Sequence, residues 1–419
     1  MEKSVNAPKV ISLGCRLNAF ESELMREHGI EGGAENTIII NTCTVTAEAE
    51  RQSRQTVRKA IRDHKNAEIV VTGCAAQLDP EGFSAIPGVT RVVGNAEKLQ
   101  PETFKVGRNH PAIEVSDIMA VRETAAHLID GFDGRARAFI QIQQGCDHRC
   151  TFCIIPFARG PNRSVPMGAI ADQIRRLIDV GFGEVVFTGV DIASYGADLP
   201  GNPSLGDLVR RTLAAVPELK RLRLSSIDPA VMDEALFQAI AEEDRLMPHI
   251  HLSLQAMDDM VLKRMKRRHS VAGAKAFAAR ARDARPEIVF GADLIAGVPT
   301  ETDEMFENTL RAVEEIGVTH FHVFPYSERP GTPAANMPVV EKPVRKARAE
   351  KLRALGKQSL SDFLETCVGK TTLVLVEQDG KGFSEQYAQV SVDSDVKSGA
   401  ITEVKIEKSD GEKLYGVGI

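Results

Sequence analysis

Three rhythms of apolar and polar positions divide this chain. In the first 100 residues, short unbroken apolar runs recur, and each ends in small or polar residues. Residues 10–13 run into Gly14-Cys15, 37–41 into Thr42-Cys43, 69–72 into Gly73-Cys74, and 91–93 into Gly94-Asn95. Short continuous apolar runs bounded by such residues read as strands buried on both faces. The intervals carry a helical period instead, clearest over residues 47–64, where Thr46 stands at the N-cap position. Strands alternating with helices predict a parallel sheet, so residues 1–100 are expected to form a doubly wound α/β domain.

Residues 101–134 are mixed and weakly periodic, as a connection between domains would be. A second alternating series fills residues 135–366. Its strands are expected at 139–143, 184–188, 221–225, 249–255, 288–293 and 320–325, with amphipathic helices such as 167–180 and 271–284 between them. Six βα units are fewer than a closed eight-stranded barrel needs, so a partial (βα)6 barrel is expected, with its active edge at the carboxyl ends of the strands. The third rhythm occupies residues 367–419 and has strands only, at 371–377, 387–392, 401–407 and 413–417. Asp379-Gly380 and Asp410-Gly411 are hairpin-turn signals. That pattern predicts a small all-β barrel, of a kind often used for nucleic-acid contact.

Composition changes this picture little. The 419 residues are 43% hydrophobic, ordinary for a globular protein. No run of about 18 apolar residues suggests a membrane span, and the N-terminus lacks an apolar signal-peptide core. The expected location is the cytoplasm, with no membrane partner. Seven cysteines in a reducing compartment are not expected to form structural disulfides. The net charge of -6 gives no global sign of nucleic-acid binding, so any such contact needs a local patch.

The cysteines carry the chemistry. Cys15, Cys43 and Cys74 are spaced by 28 and 31 residues, each about one βαβ unit. They therefore occupy the same place, the carboxyl end of successive strands, where open α/β sheets put their ligands. Three cysteines converging there make a tripodal cluster site; the bland alternative is three separate buried cysteines. A second group, Cys146, Cys150 and Cys153, forms a C-x3-C-x2-C loop just after the first barrel strand. Such a loop can hold three irons of a cubane cluster and leave the fourth open to a small molecule. On spacing alone, zinc with His148 as fourth ligand remains a serious rival, and three inert buried cysteines are the other reading.

The loop resembles the radical S-adenosylmethionine signature, with Phe152 in the position that is typically aromatic. More narrowly, the chain resembles the methylthiotransferases. The resemblance rests on Gln143-Gln144-Gly145, Cys153-Ile154-Ile155-Pro156, Arg159-Gly160 and Arg163-Ser164, and on the order of three domains ending in a TRAM barrel. Several stretches resemble the branch that modifies N6-threonylcarbamoyladenosine in tRNA. These are residues 41–46 (NTCTVT), 188–192 (TGVDI) with Tyr195-Gly196, 222–229 (LRLSSIDP), 262–269 (LKRMKRRH) and 322–327 (HVFPYS).

The resemblance implies two 4Fe–4S clusters and S-adenosylmethionine as cofactors. Cys146, Cys150 and Cys153 then hold the catalytic cluster, and Cys15, Cys43 and Cys74 an auxiliary one. Phe152, Gly189, Asp191, Ser226 and Gln255 are expected near the S-adenosylmethionine, joined by Ser225 and Asp228, with Gly297 giving close approach to its adenine. Met257 stands where the family has glycine, which puts the local geometry in doubt.

The run Lys263, Arg264, Lys266, Arg267 and Arg268 is a candidate phosphate-contacting surface, or simply a solvated helix face. From Val368 onward, six lysines and no arginine face nine acidic residues, a net of -3. RNA contact there would need Lys370 and Lys381, or bases stacked on Phe383 and Tyr387. Cys367 carries no expected role. The implied substrate is the modified adenosine at position 37, in the anticodon loop of tRNA. The implied partners include an electron donor such as flavodoxin or ferredoxin and an unidentified sulfur source. The rivals are a methylthiotransferase of another tRNA adenosine or of a ribosomal-protein aspartate, and a non-enzymatic iron–sulfur or zinc RNA-binding module.

Overall fold

The structure is a computed structural model, and it describes residues 7–122, 136–231, 233–393 and 396–419. Part of the expected connection falls outside the described residues. In the N-terminal region, strands β1 (Lys9–Ser12), β2 (Thr37–Thr42), β3 (Glu68–Gly73), β4 (Arg91–Val93) and β5 (Ile113–Glu114) form one sheet in that order. Every pairing in it is parallel. Helix α1 (Arg16–Glu31) covers one face, where Met25 packs on Ile39, Val70 and Val93. Helices α2 (Ala47–Asp63), α3 (Cys74–Leu78) and α4 (Pro80–Ser84) cover the other, where Val57, Ala76 and Phe83 meet Ile40 and Val71. Helices on both faces explain why these strands are apolar throughout rather than alternating. Thr46 caps α2 by accepting from the Ala49 amide.

Six parallel strands follow: β6 (Arg137–Gln141), β9 (Glu184–Thr188), β10 (Arg221–Leu224), β11 (His249–Gln255), β12 (Val289–Ala296) and β13 (Val318–Pro325). A small ribbon of β7 (Gln143–Gln144) and β8 (Arg163–Ser164) precedes β9. The six strands form two three-stranded sheets in chain order. A parallel bridge between Ile227 and Leu252 joins the sheets into one curved wall. Among its outer helices, α5 (Ile155–Arg159), α6 (Met167–Asp179), α7 (Leu205–Ala215), α8 (Glu234–Glu242), α9 (Asp259–Arg264), α10 (Val271–Ala284) and α11 (Asp303–Ile316) appear in order. Phe20 and Leu24 of α1 join the core of this second unit. That helix is thus shared between the two units, and the carboxyl edges of both sheets are held together.

Helix α12 (Lys342–Cys367) leads to a closed barrel ordered β14 (Thr371–Val376), β15 (Lys381–Ser384), β16 (Gln389–Val392), β18 (Leu414–Gly418), β17 (Ile401–Ser409). β15 was not expected: its KGFS sequence has neither alternation nor β-branched residues to announce it. Phe383 and Tyr387 do not await nucleic acid. Tyr387 stacks on His249 at 5.0 Å between ring centroids, and Arg137 lies over Phe383 at 4.3 Å. Arg223 donates to the carbonyls of Ser384 and Glu385 at 2.7 and 2.8 Å. These contacts dock the terminal barrel onto β6, β10 and β11 of the second unit. Among the described residues, no helix is long and apolar enough to cross a membrane.

Candidate functional site

The register of the N-terminal sheet pairs Ser12 with Asn41 and Thr42 with Gly73, so Cys15, Cys43 and Cys74 emerge at one level. Asn18 ties these strand ends together by donating to the Leu13 carbonyl at 2.7 Å and the Thr42 carbonyl at 3.1 Å. Ser53 holds Cys43 by accepting from its amide and donating to its carbonyl, each at 3.1 Å. Gly14 has φ +96°, and a Cβ there would lie 2.7 Å from the Cys43 sulfur, so no other residue fits.

The second triad sits on the loop after β7. The Cys146 amide donates to the Gly160 carbonyl at 3.0 Å, and the Cys153 amide to the Cys150 carbonyl at 3.1 Å. Gln143 braces this loop against the next one. Its Nε2 donates to the Gly145 carbonyl at 2.6 Å, while its Oε1 accepts from the Val190 and Asp191 amides at 2.9 and 2.8 Å. Sequence reasoning assigned Gln143 no such role, since it is one polar residue among several in the motif.

All six cysteines line a single cavity of about 260 Å3, together with Phe152, Gly189, Asp191, Ser226 and Gln255. None is in a disulfide. Burial pushes the Cys43 and Cys153 thiols up to about 11, and burial with the Asp191 carboxylate pushes Cys146 to about 12. Thiols held neutral in this way ionise when a bound metal supplies the positive charge. Six cysteine sulfurs in two triads fit two clusters, each with three thiolate ligands and one open iron.

Around the cysteines lie polar groups with fixed partners. Burial opposes a charge on Asp191, but hydrogen bonds from His148 and Ser194, at 2.8 and 2.6 Å, hold its carboxyl below the usual range. His148, the fourth ligand that a zinc reading needs, has its Nε2 engaged by Asp191. Asp228 is likewise depressed against its burial, by His269, Arg267 and Arg268. Gln255 ends β11 beyond a register shift, at φ +65°. That left-handed backbone is costly for a side chain of its kind and marks a constrained position at the cavity wall. Asp293, also missed by sequence reasoning, faces an adjoining cavity and is 3.2 Å from His251 Nε2 and 3.3 Å from His322 Nδ1.

Three expectations need correction. Gly297 does not line this cavity; its φ of +73° and bare Cα accommodate Arg345 of α12, whose Cγ would be 2.3 Å from a Cβ. The basic run does not form one surface. Arg267 turns inward, reaching the Cys150 sulfur at 3.6 Å and the Ser253 carbonyl at 2.7 Å, and Arg264 binds the Thr300 carbonyl at 3.1 Å. Only Lys263, Lys266 and Arg268 of the five stay exposed. Met257 does not crowd the site: it is 1% exposed and packs into the barrel core, its amide donating to Thr309 Oγ1 at 3.1 Å.

Comparison with known proteins gives the chain a setting. Residues 140–313 match the model of the radical SAM superfamily, and residues 8–94 match that of uncharacterized protein family UPF0004. A relative from Rickettsia prowazekii (strain Madrid E), named threonylcarbamoyladenosine tRNA methylthiotransferase MtaB, is 48% identical over 95% of this chain and 94% of its own. The protein of the same name from Bacillus subtilis (strain 168) is 33% identical over 95% and 93%. A tRNA-2-methylthio-N(6)-dimethylallyladenosine synthase from Erythrobacter litoralis (strain HTCC2594) is also 33% identical, over 99% and 98%. Among solved structures, the radical S-adenosylmethionine methyltransferase TsrM from Kitasatospora setae superposes with a TM-score of 0.55 at 18% identity. It covers 74% of this chain and 66% of its own, a likeness of fold alone.

Proposed function

This chain belongs to the radical S-adenosylmethionine methylthiotransferases, in the branch of the threonylcarbamoyladenosine tRNA methylthiotransferases, and from that premise we propose that it converts N6-threonylcarbamoyladenosine at position 37 of tRNA to its 2-methylthio derivative. The observation that carries the reading is the shared cavity: two cysteine triads from separate sheets face one space. A reaction that joins sulfur delivery to radical chemistry needs both sets of ligands beside one substrate atom.

In this reading Cys146, Cys150 and Cys153 hold the cluster that binds S-adenosylmethionine, and Cys15, Cys43 and Cys74 hold the auxiliary one. When bound, the first cluster supplies the electron that cleaves S-adenosylmethionine, and the second carries the sulfur to be methylated and transferred. The chain's own residues orient and enclose. Gln143 pins the loop bearing Gly189 and Asp191 against the cysteine loop. Asp191, ionised and held by His148 and Ser194, offers an anchor for a cationic group of the cofactor. Phe152 and Gln255 line both this cavity and the adjoining one. The target base lies in a single-stranded loop, from which it can be splayed into such a pocket. Lys263, Lys266 and Arg268 remain the exposed candidates for RNA phosphate. A flavodoxin or ferredoxin is the electron donor in this reading, and the cytoplasm, where tRNA resides, is its place.

Mass spectrometry of tRNA nucleosides from cells with and without the gene tests the reading. Loss of the 2-methylthio form, with threonylcarbamoyladenosine accumulating, supports it. Loss of the 2-methylthio form of dimethylallyladenosine instead moves the chain to that branch. An unchanged nucleoside profile rejects a tRNA substrate and points to a protein side chain. Iron analysis addresses the remaining rival: about eight irons per chain fit two cubanes, and none fits a zinc module.

A further inference from the structure

The cysteine cavity continues outward through two more. The first, about 260 Å3, shares Val45, Phe152, Cys153, Ile155 and Gln255 with it. The second, about 690 Å3, shares Thr46, Phe324, Pro325, Tyr326 and Ser327 with the first. Its floor is apolar, but one wall is α12, which presents Lys342, Lys346 and Arg353 to it. The first two stand four residues apart and the third two turns further on, so all three share one helix face.

The charges of this outer cavity do not cancel. Two carboxylates line it, and both are engaged elsewhere: Glu48 takes Arg51 at 2.5 Å and Gln52 at 2.9 Å, and Glu328 takes Arg345 at 2.9 Å. Arg345 also donates to the Tyr326 carbonyl at 3.0 Å, so its guanidinium is occupied. The other three cations are loosely held. Lys346 is 3.9 Å from Glu350, Arg353 is 3.4 Å from the Val323 carbonyl, and Lys342 has no ion pair among the described residues. A cationic wall over an apolar floor suits a small anionic group on a short organic arm.

We propose that this outer cavity receives the threonylcarbamoyl substituent of the target adenosine, with Lys342, Lys346 and Arg353 binding its carboxylate. The inference rests on the substrate proposed above and deepens it. Carbon 2 and carbon 6, which bears N6, flank N1 on one edge of the adenine ring. A base that presents carbon 2 to the cysteine cavity therefore sends its N6 substituent along that edge, toward the neighbouring cavities. The threonylcarbamoyl group ends in a carboxylate and a hydroxyl, whereas a dimethylallyl group is an uncharged hydrocarbon. Cations left unpaired by the hydrocarbon discriminate against it as well as for the carboxylate.

The test uses the reconstituted enzyme with two anticodon stem–loops. One carries threonylcarbamoyladenosine, and the other carries its threoninamide analogue, in which the carboxylate is neutral. The quantity read is the ratio of their kcat/KM values for methylthiolation. Wild type is expected to favour the carboxylate by about 10- to 100-fold, the range of a charge-assisted contact. The double variant Lys342→Ala/Lys346→Ala, and Arg353→Ala separately, are expected to bring that ratio toward one. Iron content and circular dichroism matching wild type establish that the variants fold. An equal loss on both stem–loops overturns the proposal and assigns these cations to RNA phosphate. An unchanged ratio overturns it and leaves the cavity without a part in specificity. If wild type thiolates neither stem–loop, the substrate reading itself fails, which is a distinct result.

Discussion

Arg159 donates through Nε to the sulfur of Cys74 at 3.0 Å, across a sequence separation of 85 residues. The guanidinium is 2% exposed and also binds Asn18 at 2.5 Å and both carboxylate oxygens of Glu21, which in turn takes Lys98 at 2.6 Å. Arg159 closes α5, six residues after Cys153. One buried cation therefore links the segment after the Cys146, Cys150 and Cys153 loop to the Cys15, Cys43 and Cys74 triad. Its surroundings fix it charged, and they hold Glu21 down to about 2 against the burial that would raise it.

Arg159→Met should accordingly damage the N-terminal site more than the radical one. It removes positive charge beside Cys74 and leaves the buried Glu21 with Lys98 as its one charged partner and the Gln144 amide donating at 2.9 Å. Breaking a buried pair from one side costs roughly 3–5 kcal/mol. Iron and sulfide analysis should show about half the full complement, and urea denaturation should show the lowered stability. A full iron content with unchanged unfolding would refute this role for Arg159.

The two triads should separate the reaction into halves. Cys146→Ala is expected to abolish formation of 5′-deoxyadenosine from S-adenosylmethionine, read by liquid chromatography and mass spectrometry. Cys43→Ala is expected to retain that cleavage and lose methylthiolated tRNA. Cleavage at the wild-type rate by Cys146→Ala, or normal product from Cys43→Ala, contradicts the assignment of the triad concerned.

Met257 should matter to stability and not to cofactor binding. Its side chain fills the barrel core, so Met257→Ala leaves a cavity costing roughly 2–5 kcal/mol. The Kd for S-adenosylmethionine, measured by calorimetry on the reconstituted protein, should stay within about twofold. A large change in affinity with little loss of stability would place the side chain at the cofactor after all.

The placement of the cysteines was legible in the sequence because it follows from the strands that precede them. A residue just past a buried strand of a parallel sheet must lie on the carboxyl edge, and three such residues must share it. Thr46 was legible for a similarly local reason, since a cap and its helix adjoin. Partners set by tertiary packing were not. Nothing near Arg159 announces Cys74, and nothing near Gly297 announces Arg345, so a glycine required by a helix was assigned to a nucleotide. The basic run misled in the same way. Its five charges are contiguous in the chain, but a tight turn with Lys266 at φ +54° turns Arg267 toward the cysteine cavity while Lys266 stays outside. Phe383 and Tyr387 resemble a stacking platform by type, and only the docked barrel shows that His249 and Arg137 already occupy them.

That docking should be sensitive to acid. His320 Nε2 lies 3.2 Å from the Gln386 carbonyl of the terminal barrel, and His249 stacks on Tyr387. Burial lowers His320 to about 4 and holds His249 well below its ordinary 6.5, with Arg223 and neighbouring histidines adding repulsion. Both rings are therefore neutral when folded, while the unfolded chain takes up protons below about 6.5. Protons bound only by the unfolded chain favour unfolding, so stability is full above pH 6.5 and falls as pH drops toward 4. The slope is at most about 1.4 kcal/mol per pH unit for each histidine. Melting temperatures measured from pH 8 to 4.5 should decline in that window. His320→Gln, which cannot titrate but can still donate to Gln386, should flatten the decline, and because its cysteines are unchanged the difference between the two curves isolates the docking interface. Parallel curves for wild type and variant would show that His320 protonation plays no part in holding the terminal barrel against the radical domain.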